Sequence, residues 1–255
     1  TTCYVDEILA AGRNLFSRIT PRPSVFMRSM VANFLHRPYQ RMAETGLAFL
    51  FLLSLALGDD DDIKELERYA CDASVDFNAV ISELKNPPEV YQLVEDENIS
   101  EDLYPNTSNL AKHLRNSAVF ASLMTDLGDA EMKEVGNLYT ASLPAWMAAG
   151  IESALKAGKD LSGTQILTLG YGSGDAAEII PMTFVDGWQT AASKIAFDVS
   201  LAGAADINEQ DYAALHDTTH NALLTQQSGV FYIDRVGTGD ASYDNRGIEY
   251  YKLGS

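Results

Sequence analysis

Apolar residues at Tyr4, Val5, Ile8, Leu9 and Leu15 recur at helical spacing, so the chain opens with an amphipathic helix that Thr1 or Thr2 can cap. Pro21 and Pro23 end that segment. The pattern then changes. Met30-Val31-Ala32-Asn33-Phe34-Leu35 is a nearly continuous apolar run, as in a strand buried on both faces, and it delivers His36 to a sharp break. Pro38 opens the next helix, where its missing N–H would be unpaired anyway. That helix carries Phe49, Phe51 and Leu53 and stops at Gly58. Asp59 to Asp62 set four carboxylates at the start of another helix, where acids complement the helix dipole.

From Ile63 to Lys133 the pattern is helical and polar-faced, broken at Asn86-Pro87-Pro88 and around Pro105. It predicts a helical insertion or cap over 59–133, carried on a core domain. A helix follows from about Pro144 to Lys156. Gln165 to Leu169 is a short buried strand running into a glycine turn, and Glu178 to Val185 is a second strand leaving it. A helix over Glu209 to Leu224 and two strands, Val230 to Val236 and Gly247 to Leu253, close the chain. There is no internal repeat and no low-complexity linker.

With 255 residues and 46% hydrophobic content, the chain can bury a substantial core. Its 36 acidic against 18 basic side chains, net −18, argue against a nucleic-acid partner, because phosphate contact needs a basic face. The longest apolar run, Leu47 to Leu57, falls well short of the roughly 20 residues a membrane helix needs and reads as a core helix. Cys3 and Cys71 have no metal-type spacing and form no disulfide framework, so a reducing, cytoplasmic setting is expected. The chain opens Thr1-Thr2-Cys3 without an initiator methionine and with no visible signal peptide, which fits a processed or truncated product.

The charge is uneven. Between Ile8 and Ala43 there is no Asp or Glu, yet Arg13, Arg18, Arg22, Arg28, Arg37 and Arg41 all fall there. This island around His36 either meets an anionic ligand, such as a phosphorylated cofactor, or pairs with carboxylates elsewhere in the fold.

Two further stretches carry chemistry: Gly136-Asn137-Leu138-Tyr139-Thr140-Ala141-Ser142 and Gly170-Tyr171-Gly172-Ser173-Gly174. The second follows a strand, as in dinucleotide-binding folds, but those need a helix next. Here Glu178 to Val185 reads as a strand interrupted by Pro181, which favours a glycine turn between two strands. Such a turn lets backbone N–H groups and the Ser173 hydroxyl approach a ligand closely. His216 and His220 have an i, i+4 spacing compatible with metal, but Asp217 stands where a zinc protease has Glu and no third ligand is evident; no metal site is expected. His113 and Cys71 read as surface residues.

Taken together, His-X-Pro-Tyr-X-Arg at 36–41, Gly-Asn-Leu-Tyr-Thr-Ala-Ser at 136–142, Tyr-Gly-Ser-Gly at 171–174 and the Phe231-Tyr232 strand resemble hydroxymethylglutaryl-CoA synthase in order and interval. The resemblance runs the length of this chain but covers only the C-terminal half of such an enzyme. It implies an α/β, thiolase-like fold of stacked layers, of which this chain supplies the second repeat. It implies an acyltransferase that joins acetyl-CoA to acetoacetyl-CoA, with no cofactor beyond these acyl-CoA substrates. By position His36 matches the histidine that holds and polarises the acetoacetyl group, and Asn137 the asparagine that contacts substrate and oxyanion. Arg41 stands where the family has a CoA-binding lysine, and Ser173 where it has a substrate-binding serine; Tyr171, Gly172 and Tyr139 are expected to line the same pocket.

The departures are specific. The family's nucleophilic cysteine and acid/base glutamate lie in the N-terminal half, and Cys3 is no substitute. Thr45 replaces a second CoA lysine. The resemblance therefore implies an N-terminal partner, in the same or a separate chain, and a homo-oligomer of the complete enzyme. The alternatives are a synthase acting on acyl-carrier-protein thioesters in polyketide β-branching, and a non-catalytic acyl-CoA-binding subunit of the same fold. No nucleic acid and no membrane partner are expected.

Overall fold

The computed structural model describes residues 2–88, 90–95, 102–172, 174–217, 228–239 and 241–254. It divides into two units, Thr1–Ala202 and Gly203–Ser255. The first begins with α1 (Thr2–Phe16), α2 (Pro23–Ser29), β1 (Ala32–Leu35) and α3 (Gln40–Ala56). A run of helices follows: α4 (Asp60–Asp72), α5 (Phe77–Lys85), α6 (Val90–Glu95), α7 (Pro105–Leu114), α8 (Ala118–Leu123) and α9 (Asp129–Lys133). A 3-10 turn at Tyr139–Ala141 leads into α10 (Ser142–Lys156), then β2 (Gln165–Gly172), β3 (Ala176–Thr183), α11 (Trp188–Ala192) and α12 (Phe197–Leu201). The second unit holds α13 (Glu209–Asp217) and an antiparallel pair, β4 (Phe231–Val236) and β5 (Glu249–Leu253). The expected continuation of α13 to Leu224 lies outside the described residues.

The sheet of the first unit has the order β1-β2-β3, with β1 parallel and β3 antiparallel to β2. Every residue of β1 is buried, which explains its unbroken apolar run. Helix α10 packs on β1 and β2, α1 on β2 and β3, and α3 on α1 and β1. Helix α3 is apolar around its circumference and buried from Gly46 to Ala56, the signature of a helix enclosed on all sides. Its contact with α1 depends on Gly46, where a Cβ would stand 2.5 Å from the Tyr4 hydroxyl oxygen and 2.8 Å from Ile8 Cδ1. On the α10 side, Phe34 meets Trp146 edge-on at 5.5 Å between centroids, and the indole Nε1–H donates to the Leu127 carbonyl at 3.0 Å. A second polar tie is buried Asn33, whose Nδ2 donates to the Leu123 carbonyl at 2.8 Å.

The hairpin β2–β3 contains the glycine turn between two strands, as the sequence indicated, and the four carboxylates open α4. There Asp59 caps the helix through a reciprocal pair with Asp62. Three details differ from the expected pattern. Pro23 does not simply break the chain but sits in the first turn of α2, where its fixed φ is already helical. Helix α3 begins at Gln40, because Tyr39 is extended (φ −154°) and serves as the cap position, so Pro38 precedes the helix. The short helices α11 and α12 have no long apolar period to announce them.

Candidate functional site

His36 follows directly on β1, and its backbone N–H donates to the Leu169 carbonyl at 2.7 Å, extending the β1–β2 ladder by one residue. The sheet itself thus fixes where the imidazole starts. Partial burial pushes its pKa below the ordinary value, so the ring is neutral at pH 7, with one nitrogen to donate and one to accept. It faces Tyr171, on the end of β2, at 5.9 Å between centroids.

Tyr171 is held from two sides. Its ring meets Tyr4 of α1 edge-on at 5.1 Å, and its hydroxyl donates to Asp175 Oδ1 at 3.0 Å. Burial and the Asp175 carboxylate push the phenol up to about 12, so it remains a protonated donor. Asp175 adopts φ +52° in the turn. A Cβ built on Gly172 would meet nothing within 4 Å, so the backbone there is open to approach. Ser173 lies outside the described residues.

The neighbouring Arg37 was not expected to matter beyond its place in the basic island. It is buried, donates to Asp129 Oδ1 at 2.8 Å, and lies over the Trp146 ring with Cζ 4.6 Å from the centroid. Asp129 also accepts from Lys133 at 2.6 Å. Both cations, with hydrogen bonds from each, hold its carboxyl below the usual range against the opposing effect of burial. This pair fastens the segment after His36 to the segment before Asn137. Between them lies a cleft of about 300 Å³ lined by Arg37, Pro38, Tyr39 and Gln40 on one side and Met132, Lys133, Val135 and Gly136 on the other. No sequence signal links positions 37 and 129.

Asn137 is exposed beside that cleft, and its Oδ1 accepts from the Tyr139 N–H at 2.8 Å. That bond orients the amide and leaves Nδ2 without a protein partner among the described residues. Tyr139 takes φ +50° and its side chain is 75% exposed, so its ring stands in solvent.

The basic island divides. Arg22 pairs with Asp59, Arg28 with Glu65 and Arg37 with Asp129, while Arg13 donates to the Leu84 carbonyl. For these four the answer is structural. Arg41 is different: it lines an open cleft of about 450 Å³ with Glu44, Lys112, Arg115, Asn116 and Phe120. Thr45 donates to the Arg41 carbonyl and accepts from Arg115 Nη1, both at 2.8 Å. The structure therefore gathers His36, Tyr171 and Gly172 at one end of the sheet, leaves Asn137 and Tyr139 exposed in the turn that follows Gly136 of the neighbouring cleft, and sets Arg41 in a second cleft. Among the described residues no cluster of metal-ligating side chains occurs; His220 lies outside them. No helix among them is long and apolar enough to cross a membrane.

Comparison with known proteins bears on this geometry. Residues 2–228 match the family model for the C-terminal region of hydroxymethylglutaryl-coenzyme A synthase. A curated relative, the hydroxymethylglutaryl-CoA synthase of Haloferax volcanii, is 36% identical over 87 residues, covering 34% of this chain and 19% of that protein. The solved structure of MvaS in complex with 3-hydroxy-3-methylglutaryl coenzyme A superposes with a TM-score of 0.62 at 18% identity, over 99% of this chain and 50% of that one. The chain thus spans about half the length of that solved structure and shares its thiolase-like α/β fold. On the family match across nearly its whole length, the chain belongs to the C-terminal family of hydroxymethylglutaryl-coenzyme A synthases.

Proposed function

We propose that this chain is the substrate-holding part of a hydroxymethylglutaryl-CoA synthase, an acyltransferase that condenses acetyl-CoA with acetoacetyl-CoA. A partner region carrying the nucleophilic cysteine and the acid/base glutamate completes it. The observation that carries the reading is the placement of His36, whose backbone is fixed by the Leu169 bond and whose ring faces the Tyr171 ring at the end of β2. In the condensation the methyl carbon of the enzyme-bound acetyl thioester loses a proton to the glutamate and attacks the ketone carbon of acetoacetyl-CoA. Charge then gathers on the ketone oxygen. His36 donates to that oxygen, and Asn137 supplies a second donor through its unpartnered Nδ2; fixed donors are what such a step requires. Water finally cleaves the thioester to the cysteine and releases the product. Tyr171 buttresses the imidazole, Gly172 and Ser173 offer backbone and hydroxyl contacts to the acyl group, Tyr139 borders the Asn137 turn, and Arg41 takes the phosphorylated end of CoA.

The test uses the complete enzyme, with this chain joined to or mixed with the cysteine-bearing region. His36→Ala should abolish condensation while acylation of the cysteine by acetyl-CoA continues. Asn137→Ala should lower the condensation rate by about 100-fold or more, the usual cost of one such donor. Equal loss of acylation and condensation in His36→Ala would overturn the role given to His36. If the wild-type mixture binds acyl-CoA but never turns over, the chain is instead a non-catalytic subunit; turnover only with carrier-protein thioesters would mark a β-branching synthase.

A further inference from the structure

The sheet holds the backbone of His36, but it does not hold the ring. Among the described residues no hydrogen bond reaches either imidazole nitrogen, and burial alone shifts its pKa. A backbone fixed in a ladder still leaves the side-chain torsions free to choose among rotamers. The imidazole's ring neighbour is Tyr171, 5.9 Å away and tilted by 54°. What aims His36 is therefore whatever aims Tyr171.

Two groups do so, from different elements. Tyr4 of α1 is 1% exposed, and its ring stands edge-on to Tyr171 with an interplanar angle of 88°. The Tyr4 hydroxyl has no hydrogen-bond partner among the described residues, so this position supplies a ring rather than a polar contact. That ring is wedged from behind by α3, which comes close enough only because position 46 is glycine. On the outer side, exposed Asp175 accepts from the Tyr171 hydroxyl at 3.0 Å. Its φ of +52° is strained for most residues and tolerated by Asp and Asn. Glycine would close the same turn without strain, but it could not bind the phenol. Glu7, three residues after Tyr4 in α1, faces the same turn. Burial first, then the Asp6 and Asp175 carboxylates, raise its pKa. The Tyr171 hydroxyl is thus the donor that keeps Asp175 beside α1 against a like charge.

We propose that Tyr4 and Asp175 are positioning residues for the condensation: they clamp the Tyr171 ring from the core side and the solvent side, and the clamped ring aims the His36 imidazole at the ketone oxygen. The effect on the reaction rests on the role given to His36 above; the clamp itself does not. Core packing alone accounts for a buried Tyr4, but not for an exposed carboxylate in a left-handed turn that gives its oxygen to the same phenol.

NMR of the 255-residue chain with ring-labelled histidine and tyrosine tests the clamp, and kinetics of the complete enzyme test its use. Tyr4→Leu and Asp175→Gly should shift or broaden the His36 ring signals. Tyr4→Phe, which keeps the ring, and Asp175→Asn, which keeps an acceptor oxygen and tolerates the turn, should leave them in place. Tyr171→Phe should act like Asp175→Gly, and the two together should change no more than either alone. In the complete enzyme, Tyr4→Leu and Asp175→Gly should lower kcat for condensation by about 10- to 100-fold, as a small misplacement of a reacting group does. Acylation of the cysteine by acetyl-CoA should continue, and the Phe and Asn variants should restore condensation. If Tyr4→Leu fails to fold, the exposed Asp175 pair decides. His36 signals unmoved in Asp175→Gly would overturn the clamp, as would an Asp175→Asn variant as impaired as Asp175→Gly. If the His36 signals move but condensation runs at the wild-type rate, the clamp stands and His36 leaves the chemistry.

Discussion

Replacing Arg37 with methionine and Asp129 with alanine, singly and together, examines the tie between the His36 and Asn137 segments. Arg37 is 3% exposed and has two partners, the Asp129 carboxylate at 2.8 Å and the Trp146 ring at 4.6 Å. Methionine keeps the apolar stem against Trp146 but loses a charge-assisted hydrogen bond, about 1.5–3 kcal/mol, and a cation–π contact of about 1–2 kcal/mol. Removing the desolvation of the guanidinium offsets part of that loss. Asp129 is not stranded, since it is 23% exposed and keeps Lys133. A net cost of about 1–2 kcal/mol follows for Arg37→Met. The reverse change is worse. Asp129→Ala leaves a guanidinium buried without its anion, about 3–5 kcal/mol. The double variant should lose little more than Arg37→Met alone, a coupling of about 3–4 kcal/mol, most of the cost of Asp129→Ala. Urea unfolding followed by circular dichroism at pH 7 reads all three. A cost for Arg37→Met equal to or above that of Asp129→Ala, or additivity within about 0.5 kcal/mol, would refute the buried-pair account.

Two other predictions concern the same end of the sheet. Gly46→Val places a branched side chain where even a Cβ meets the Tyr4 hydroxyl oxygen at 2.5 Å; it should cost about 1–3 kcal/mol and shift the ring signals of Tyr171, which leans on Tyr4. Burial lowers the pKa of His36 in the folded state, so the unfolded chain takes up the proton first as pH falls. Stability from this group is therefore present above about pH 6.5 and is lost as pH falls through the folded pKa, more acidic than that. A proton NMR titration should place the His36 midpoint below 6.5, and a midpoint above 6.5 would contradict the burial argument.

The parts of the fold legible in the sequence were those with one dominant local cause. Tyr4, Ile8 and Leu9 gave α1 its buried stripe, the apolar run at 30–35 gave β1, and Pro181 after the glycine turn marked β3 rather than a helix. The candidate site was legible only as motifs: His36, Asn137 and Tyr171 stood out, but nothing local showed that His36 meets Tyr171. Pairings between distant positions had no signal. Arg37 with Asp129, and Arg115 with Thr45, join residues whose own neighbourhoods look like ordinary helix ends. Lys112-His113-Leu114-Arg115 reads as surface until α7 is seen to end against α3. The arginine island misled in part, because charge counts along a chain say nothing of carboxylates that the fold brings from elsewhere, such as Asp59 and Glu65.

The parallel pairing of β1 with β2 has a consequence for how the chain is made. Ala32 lies opposite Ile166, so about 130 residues are synthesised between the two strands. At about 5–20 residues per second, β1 waits roughly 7–26 s for its partner. Helices α1 and α3 can associate during that interval, whereas the backbone of Ala32–Leu35 and the Phe34 ring remain without their final cover. The strand that delivers His36 is thus an open apolar edge on the nascent chain. A cell that slows translation before Gln165 would lengthen that exposure and favour capture by chaperones or aggregates over assembly of the sheet.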